Sequence, residues 1–79
     1  MIPLAIIYSN DNIESQRLVA LFQTLETRFI EYKLGRDFNE KQFLSEFGQH
    51  AEYPQVAVGD KHIGSLKETL QYLTYNKYI

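Results

Sequence analysis

Glu52-Tyr53-Pro54-Gln55-Val56-Ala57-Val58-Gly59-Asp60-Lys61-His62-Ile63-Gly64 is the stretch whose reading decides the fold. Pro54 has no N–H to give to a ladder and holds the residue before it extended, so it belongs at the entrance of a strand. Gln55 to Val58 is a short apolar run, Gly59-Asp60 is a tight turn, and Lys61-His62-Ile63 returns before Gly64 permits a sharp bend. The pattern predicts a hairpin feeding a helix, because Ser65-Leu66-Lys67-Glu68 has capping-box spacing and Leu66, Leu70 and Leu73 repeat on one helical face. That helix is expected to reach about Tyr75, leaving Asn76 to Ile79 as a tail with few anchors.

Upstream of the hairpin, Leu4 to Tyr8 is a continuous apolar run, the signature of a central strand covered on both faces. Ser9-Asn10-Asp11-Asn12 supplies turn-favouring side chains, and Asp11 with Glu14 has capping-box spacing, so a helix begins there. Leu18, Leu21, Phe22 and Leu25 form its inward stripe, and it ends near Glu26. From Arg28 to Leu34 the period switches to two, which predicts a second strand, parallel to the first across the helix. Gly35-Arg36-Asp37 turns the chain, and Asp37 or Asn39 caps a second helix carrying Phe43, Leu44 and Phe47 before Gly48 stops it.

The 79 residues allow one domain, 1–79, and one core. An apolar fraction of 44% with 14% aromatics is that of a globular chain, and no apolar run approaches the roughly 20 residues of a membrane span. The first residues, Met1-Ile2-Pro3-Leu4-Ala5-Ile6-Ile7, carry no basic leader, so the cytoplasm is the expected compartment. A net charge of -2 with scattered cations argues against a nucleic-acid partner. The absence of cysteine removes disulfides, thiolate metal sites and thiol redox chemistry together, and His50 and His62 alone do not make a metal site.

The order β-α-β-α-β-β-α with a proline opening the third strand resembles the thioredoxin fold in its minimal, glutaredoxin-type form, an α/β domain with a four-stranded mixed sheet and three helices. Ile6-Ile7-Tyr8-Ser9 resembles the strand end before a glutaredoxin active site. Tyr53-Pro54-Gln55-Val56 resembles the family's cis-proline segment, Gly59 to Gly64 its hairpin and glycine turn, and Leu70-Gln71-Tyr72-Leu73 its last helix. The likeness runs from about Leu4 to Leu73, and compact members of the family occur in bacteria and their phages.

The departures fall on the chemistry. Where the glutaredoxin pattern places C-x-x-C, this chain has Ile13-Glu14-Ser15-Gln16, with Ile13 at the nucleophile's position and Gln16 at the resolving one. Asn10 stands where the family has a cation that holds a carboxylate, and Ser65 and Lys67-Glu68 replace a glycine and an acidic pair. Glutathione binding is therefore expected to be eroded, and no cofactor is implied. What the resemblance leaves is backbone at Tyr53, whose N–H and C=O can pair with an extended peptide, and a residual groove of Asn10, Ile13, Gln16, Tyr53, Pro54, Gly64 and Ser65. Pro54 is expected to face Ile13 across it. The leading expectation is a non-catalytic protein or peptide interaction module. The alternative is a glutathione-binding or electron-transfer protein of the glutaredoxin type.

Other signals have plainer readings. Asp11 and Glu14 are explained by capping rather than acid-base work, and two acids in one turn repel an anion. Phe22, Phe43 and Phe47 are core residues on helical stripes. Tyr72, Tyr75 and Tyr78 repeat every three residues and form either an exposed aromatic ridge or an ordinary partly buried set.

Overall fold

The computed structural model describes residues 2–79; Met1, which the domain boundary includes, lies outside the described residues. The elements follow the expected order: β1 Ala5–Ser9, α1 Ile13–Thr24, β2 Phe29–Lys33, α2 Glu40–Phe47, β3 Gln55–Val58, β4 Lys61–Gly64 and α3 Leu66–Tyr75. The four strands form one mixed sheet in the order β2-β1-β3-β4. β1 runs parallel to β2 and antiparallel to β3, and β3 and β4 form the hairpin. This mixed four-stranded sheet with three helices is compatible with a thioredoxin-like fold.

Alternation along β1 sorts the side chains into two layers. Ala5, Ile7 and Ser9 are buried on one face, while Ile6 and Tyr8 are half-buried on the other. Ala5 and Ile7 join Val56, Val58, Leu18, Phe22 and Leu73 in a single apolar cluster, so α1 and α3 cover that face together. Fully burying a side chain such as Phe22 contributes roughly 1.5–3 kcal/mol.

The opposite face is covered by aromatic rings. Tyr8 touches Tyr32, Phe38 and Phe47 at centroid distances of 5.6, 5.7 and 5.0 Å. Phe43 stacks on Tyr53 at 4.0 Å and lies 5.8 Å from Phe38. The short helix α2 reaches the sheet through these rings, and only Phe43 of its stripe is fully buried.

Several local expectations shift. The cap of α1 is Asn12, whose Oδ1 accepts from the Ser15 N–H at 2.7 Å, not Asp11, which sits in the left-handed region at φ 64. The cap of α2 is Asn39, in a reciprocal pair with Gln42. On α3 the inward residues are Thr69 and Leu73, while Leu70 is 39% exposed. The Thr69 hydroxyl returns to the Ser65 carbonyl at 2.8 Å, which lets a polar residue occupy the buried position. The tail is anchored, with the Tyr78 N–H on the Leu73 carbonyl at 2.8 Å. Tyr72 and Tyr78 pack together at 6.4 Å while Tyr75 is 78% exposed, so the three tyrosines form no ridge.

Candidate functional site

β1 ends, β3 begins and β4 ends at one edge of the sheet, as the registers Tyr8↔Gln55 and Val56↔Gly64 require. The N-termini of α1 and α3 therefore lie at the same end of the sheet as Pro54. The Tyr53-Pro54 peptide bond is cis and Pro54 is buried. Gly64 has a φ of 132°, and a Cβ there would lie 2.9 Å from the Glu68 Cβ, so neither the backbone nor the space admits a side chain.

The loop before α1 is held by its own polar groups. Asn10 Oδ1 accepts from the Asn12 N–H at 3.1 Å, and Gln16 Nε2 donates to the Asp11 carbonyl at 2.8 Å. Asp11 pairs with Lys33 of β2 at 3.3 Å. Asn12 Nδ2 reaches over to the Tyr53 carbonyl at 3.3 Å. Asn10 and Gln16 thus shape the loop. The side chain that meets the proline loop is Asn12, while Ile13, expected to face Pro54, is 67% exposed. Ser15, beneath Asn12, is 1% exposed, and its hydroxyl has no hydrogen-bond partner among the described residues.

Tyr53 is fixed at both ends. Its ring lies on Phe43 and its hydroxyl donates to Glu40 at 3.2 Å. Burial, with the adjacent Glu40 carboxylate, pushes the phenol up to about 12. Its carbonyl is the acceptor for Asn12, so of the two backbone groups expected to be available only the N–H makes no bond among the described residues. The next side chain, Gln55, is buried between the Glu52 carbonyl at 2.8 Å and His62 Nε2 at 2.7 Å.

The two helix N-termini already hold oxygen acceptors. At α3, Glu68 Oε1 accepts from both the N–H and the hydroxyl of Ser65, and these bonds hold the Glu68 carboxyl below its ordinary range. At α1 the acceptor is Asn12, with Glu14 in the first turn. The nearby cations are also engaged, Lys33 with Asp11 and Arg36 with Asp37 at 2.7 Å. An incoming carboxylate or phosphate would have to displace these internal partners. Among the described residues no His, Cys, Asp or Glu cluster could hold a metal ion.

The Ser15 hydroxyl has no hydrogen-bond partner among the described residues, and the buried Ser9 hydroxyl donates to Glu31 at 2.7 Å on the core side of the sheet. A depression of about 200 Å³ lies at the far end of the sheet, between Pro3 and Arg28, and a shallow one of about 390 Å³ lies between β4 and α3. Among the described residues no helix is long and apolar enough to cross a membrane. Sequence reasoning missed Asn12 and Ser15; the signal for them is an Asn three residues before a small residue at a helix start. The chain matches no known family model, and no curated protein matches it.

Proposed function

We propose that the chain is a thioredoxin-fold domain of glutaredoxin type without a redox centre, and that it holds a protein or peptide at the edge formed by Asn10 to Gln16, Tyr53-Pro54 and Gly64-Ser65. The strand order β2-β1-β3-β4, with Pro54 just before β3, supports the fold. In this reading the positions of the lost thiols are Asn12 and Ser15, one residue earlier than Ile13 and Gln16: Asn12 touches the proline loop and Ser15 is the small buried residue below it.

The observation that carries the binding reading is the conjunction of Ile13, 67% exposed in the first turn of α1, with the unpaired Tyr53 N–H. An exposed apolar side chain at the head of α1 and a backbone donor at the head of β3 suit an extended segment that supplies one carbonyl and one apolar side chain. Glutathione fits less well, because its carboxylates would compete with Glu68 at α3 and meet Asp11 and Glu14 at α1.

The test is capture from the native host with the wild-type chain and Ile13→Asp. The wild type retains a partner and the variant loses it; full retention by the variant sinks the proposal. Titration calorimetry with glutathione addresses the alternative, which gains support from submillimolar affinity or from disulfide reduction above the uncatalysed rate.

A further inference from the structure

β2 is an edge strand, and its outer side is closed along only half its length. The Ala5 N–H donates to the Arg28 carbonyl at 3.1 Å and the Leu34 N–H to the Ser9 carbonyl at 2.9 Å. Even-numbered residues of β2 therefore turn their backbone toward β1, and Phe29, Glu31 and Lys33 turn theirs outward. The turn after the strand caps the upper half. Arg36 Nη2 donates to the Glu31 carbonyl at 2.9 Å, the Lys33 N–H donates to Asp37 Oδ2 at 2.9 Å, and the Lys33 carbonyl accepts from the Arg36 and Asp37 N–H groups. The Phe29 N–H, the Phe29 carbonyl and the Glu31 N–H reach no partner among the described residues.

Between these groups Ile30 presents an exposed apolar side chain. The rings that join α2 to the sheet lie over the Tyr8 and Tyr32 end. At the other end Ile6 is half-buried, and its register partner Ile30 is 40% exposed. An edge with open backbone groups beside apolar side chains is a template for another strand.

We propose that β2 is a self-association edge, on which a second copy of this chain adds its own β2 antiparallel about a two-fold axis through Ile30, making one sheet continuous across both copies. Of the registers that keep outward residues opposite one another, those centred on Tyr32 and Lys33 call on Lys33 groups that Arg36 and Asp37 already hold, and two others also fail. Centring on Glu31 sets that carboxylate against its own copy and calls on Lys33 groups that Arg36 and Asp37 already hold. Centring on Phe29 calls on Thr27, which precedes the strand and whose N–H donates to the Phe22 carbonyl at 3.2 Å.

Centring on Ile30 leaves the Lys33 groups alone and uses the three open groups together with the Glu31 carbonyl, which already accepts one bond from Arg36 Nη2. Each Glu31 N–H donates to the facing Phe29 carbonyl, and each Phe29 N–H to the facing Glu31 carbonyl, whose second lone pair is free beside Arg36. The two Ile30 side chains meet as a close non-hydrogen-bonded pair and unite the two Ile6-Ile30 strips. Arg28 is exposed and has no ion-pair partner among the described residues; it comes opposite the Tyr32 ring of the second copy, a cation over an aromatic face.

Because the chain has no cysteine, a single introduced thiol reports the axis cleanly. Under diamide, Ile30→Cys gives a disulfide-linked dimer about tenfold faster than Leu70→Cys, whose parent side chain is equally exposed, because only a residue on the two-fold axis meets its own copy. In sedimentation equilibrium the wild type shows twice the chain mass at high concentration, and Ile30→Lys raises the dissociation constant about tenfold or more with an unchanged circular dichroism spectrum. A monomeric wild type, equal cross-linking rates for the two cysteine variants, or an Ile30→Lys protein that associates as the wild type does would each overturn the proposal.

Discussion

Asn12 Nδ2 donates to the carbonyl oxygen of Tyr53 at 3.3 Å, joining the head of α1 to the loop that opens β3 across 41 residues of sequence. The same side chain accepts from the Ser15 N–H through Oδ1 at 2.7 Å. One amide thus serves as helix cap and as tertiary tie, and these two jobs need opposite ends of it.

That division makes the Asn12 substitutions separable. Asn12→Ala removes both bonds and should cost about 1–2 kcal/mol in urea unfolding. Asn12→Asp keeps the cap and favours the helix dipole but turns a carboxylate on the Tyr53 carbonyl, so it should fall between wild type and Asn12→Ala. A midpoint for Asn12→Ala equal to that of the wild type would show that the tie contributes nothing.

Tyr53 supplies an alkaline signature. Its phenol is raised to about 12 by burial and by Glu40, so the folded state favours the neutral form. The resulting stabilisation is complete below the ordinary tyrosine value near 10 and is lost as pH rises through about 12. Burial also raises the Tyr8 phenol. An ultraviolet titration should therefore show late tyrosine ionisation to which Tyr53 contributes a step at about 12, and Tyr53→Phe should remove that step while keeping the stack on Phe43. Tyr53→Ala, which removes the stack, should cost about 2 kcal/mol.

The order of elements was legible because each carries its own period: two in Arg28 to Leu34, three to four in Leu18 to Leu25, and a proline and a glycine punctuating the hairpin. The start of α1 was not legible, because four successive polar residues can each cap a helix in isolation. Lys33 on β2 draws Asp11 into an ion pair, and the Tyr53 carbonyl draws Asn12. The aromatic layer was half legible. Phe43 and Phe47 announce themselves by helical spacing, but Tyr8, Tyr32, Phe38 and Tyr53 lie on different segments and meet only after the sheet has formed. The candidate site rests on such long-range meetings, and these bring Asn12 rather than Ile13 to the proline loop.

Ser15 tests whether its position is kept for packing. Its hydroxyl is buried without a partner, a state that carries a desolvation penalty, and alanine is the better helix former. Ser15→Ala should therefore leave the protein as stable as the wild type or raise stability by up to about 1 kcal/mol, read from the urea midpoint. A loss of more than about 1 kcal/mol would mean that the hydroxyl has a partner in solution.

The proposed assignment of the redox positions to Asn12 and Ser15 can be tested by introducing thiols. Asn12→Cys with Ser15→Cys places sulfurs three residues apart at the head of α1, one against the proline loop and one in the buried space beneath it. The thiol at position 12 takes over the helix-end position at which the Ser15 N–H now meets Asn12 at 2.7 Å, so it should be acidified below the ordinary cysteine range. Ile13→Cys with Gln16→Cys places both sulfurs on the exposed side of the helix, away from that donor. The first pair should close an intramolecular disulfide and gain measurable exchange with glutathione, whereas the second should stay near the uncatalysed rate. Thiolate absorbance against pH and a disulfide-reduction assay read the two properties independently. If the second pair is the acidic and reactive one, the assignment of Asn12 and Ser15 fails, and with it the proposed relation of this edge to a redox site.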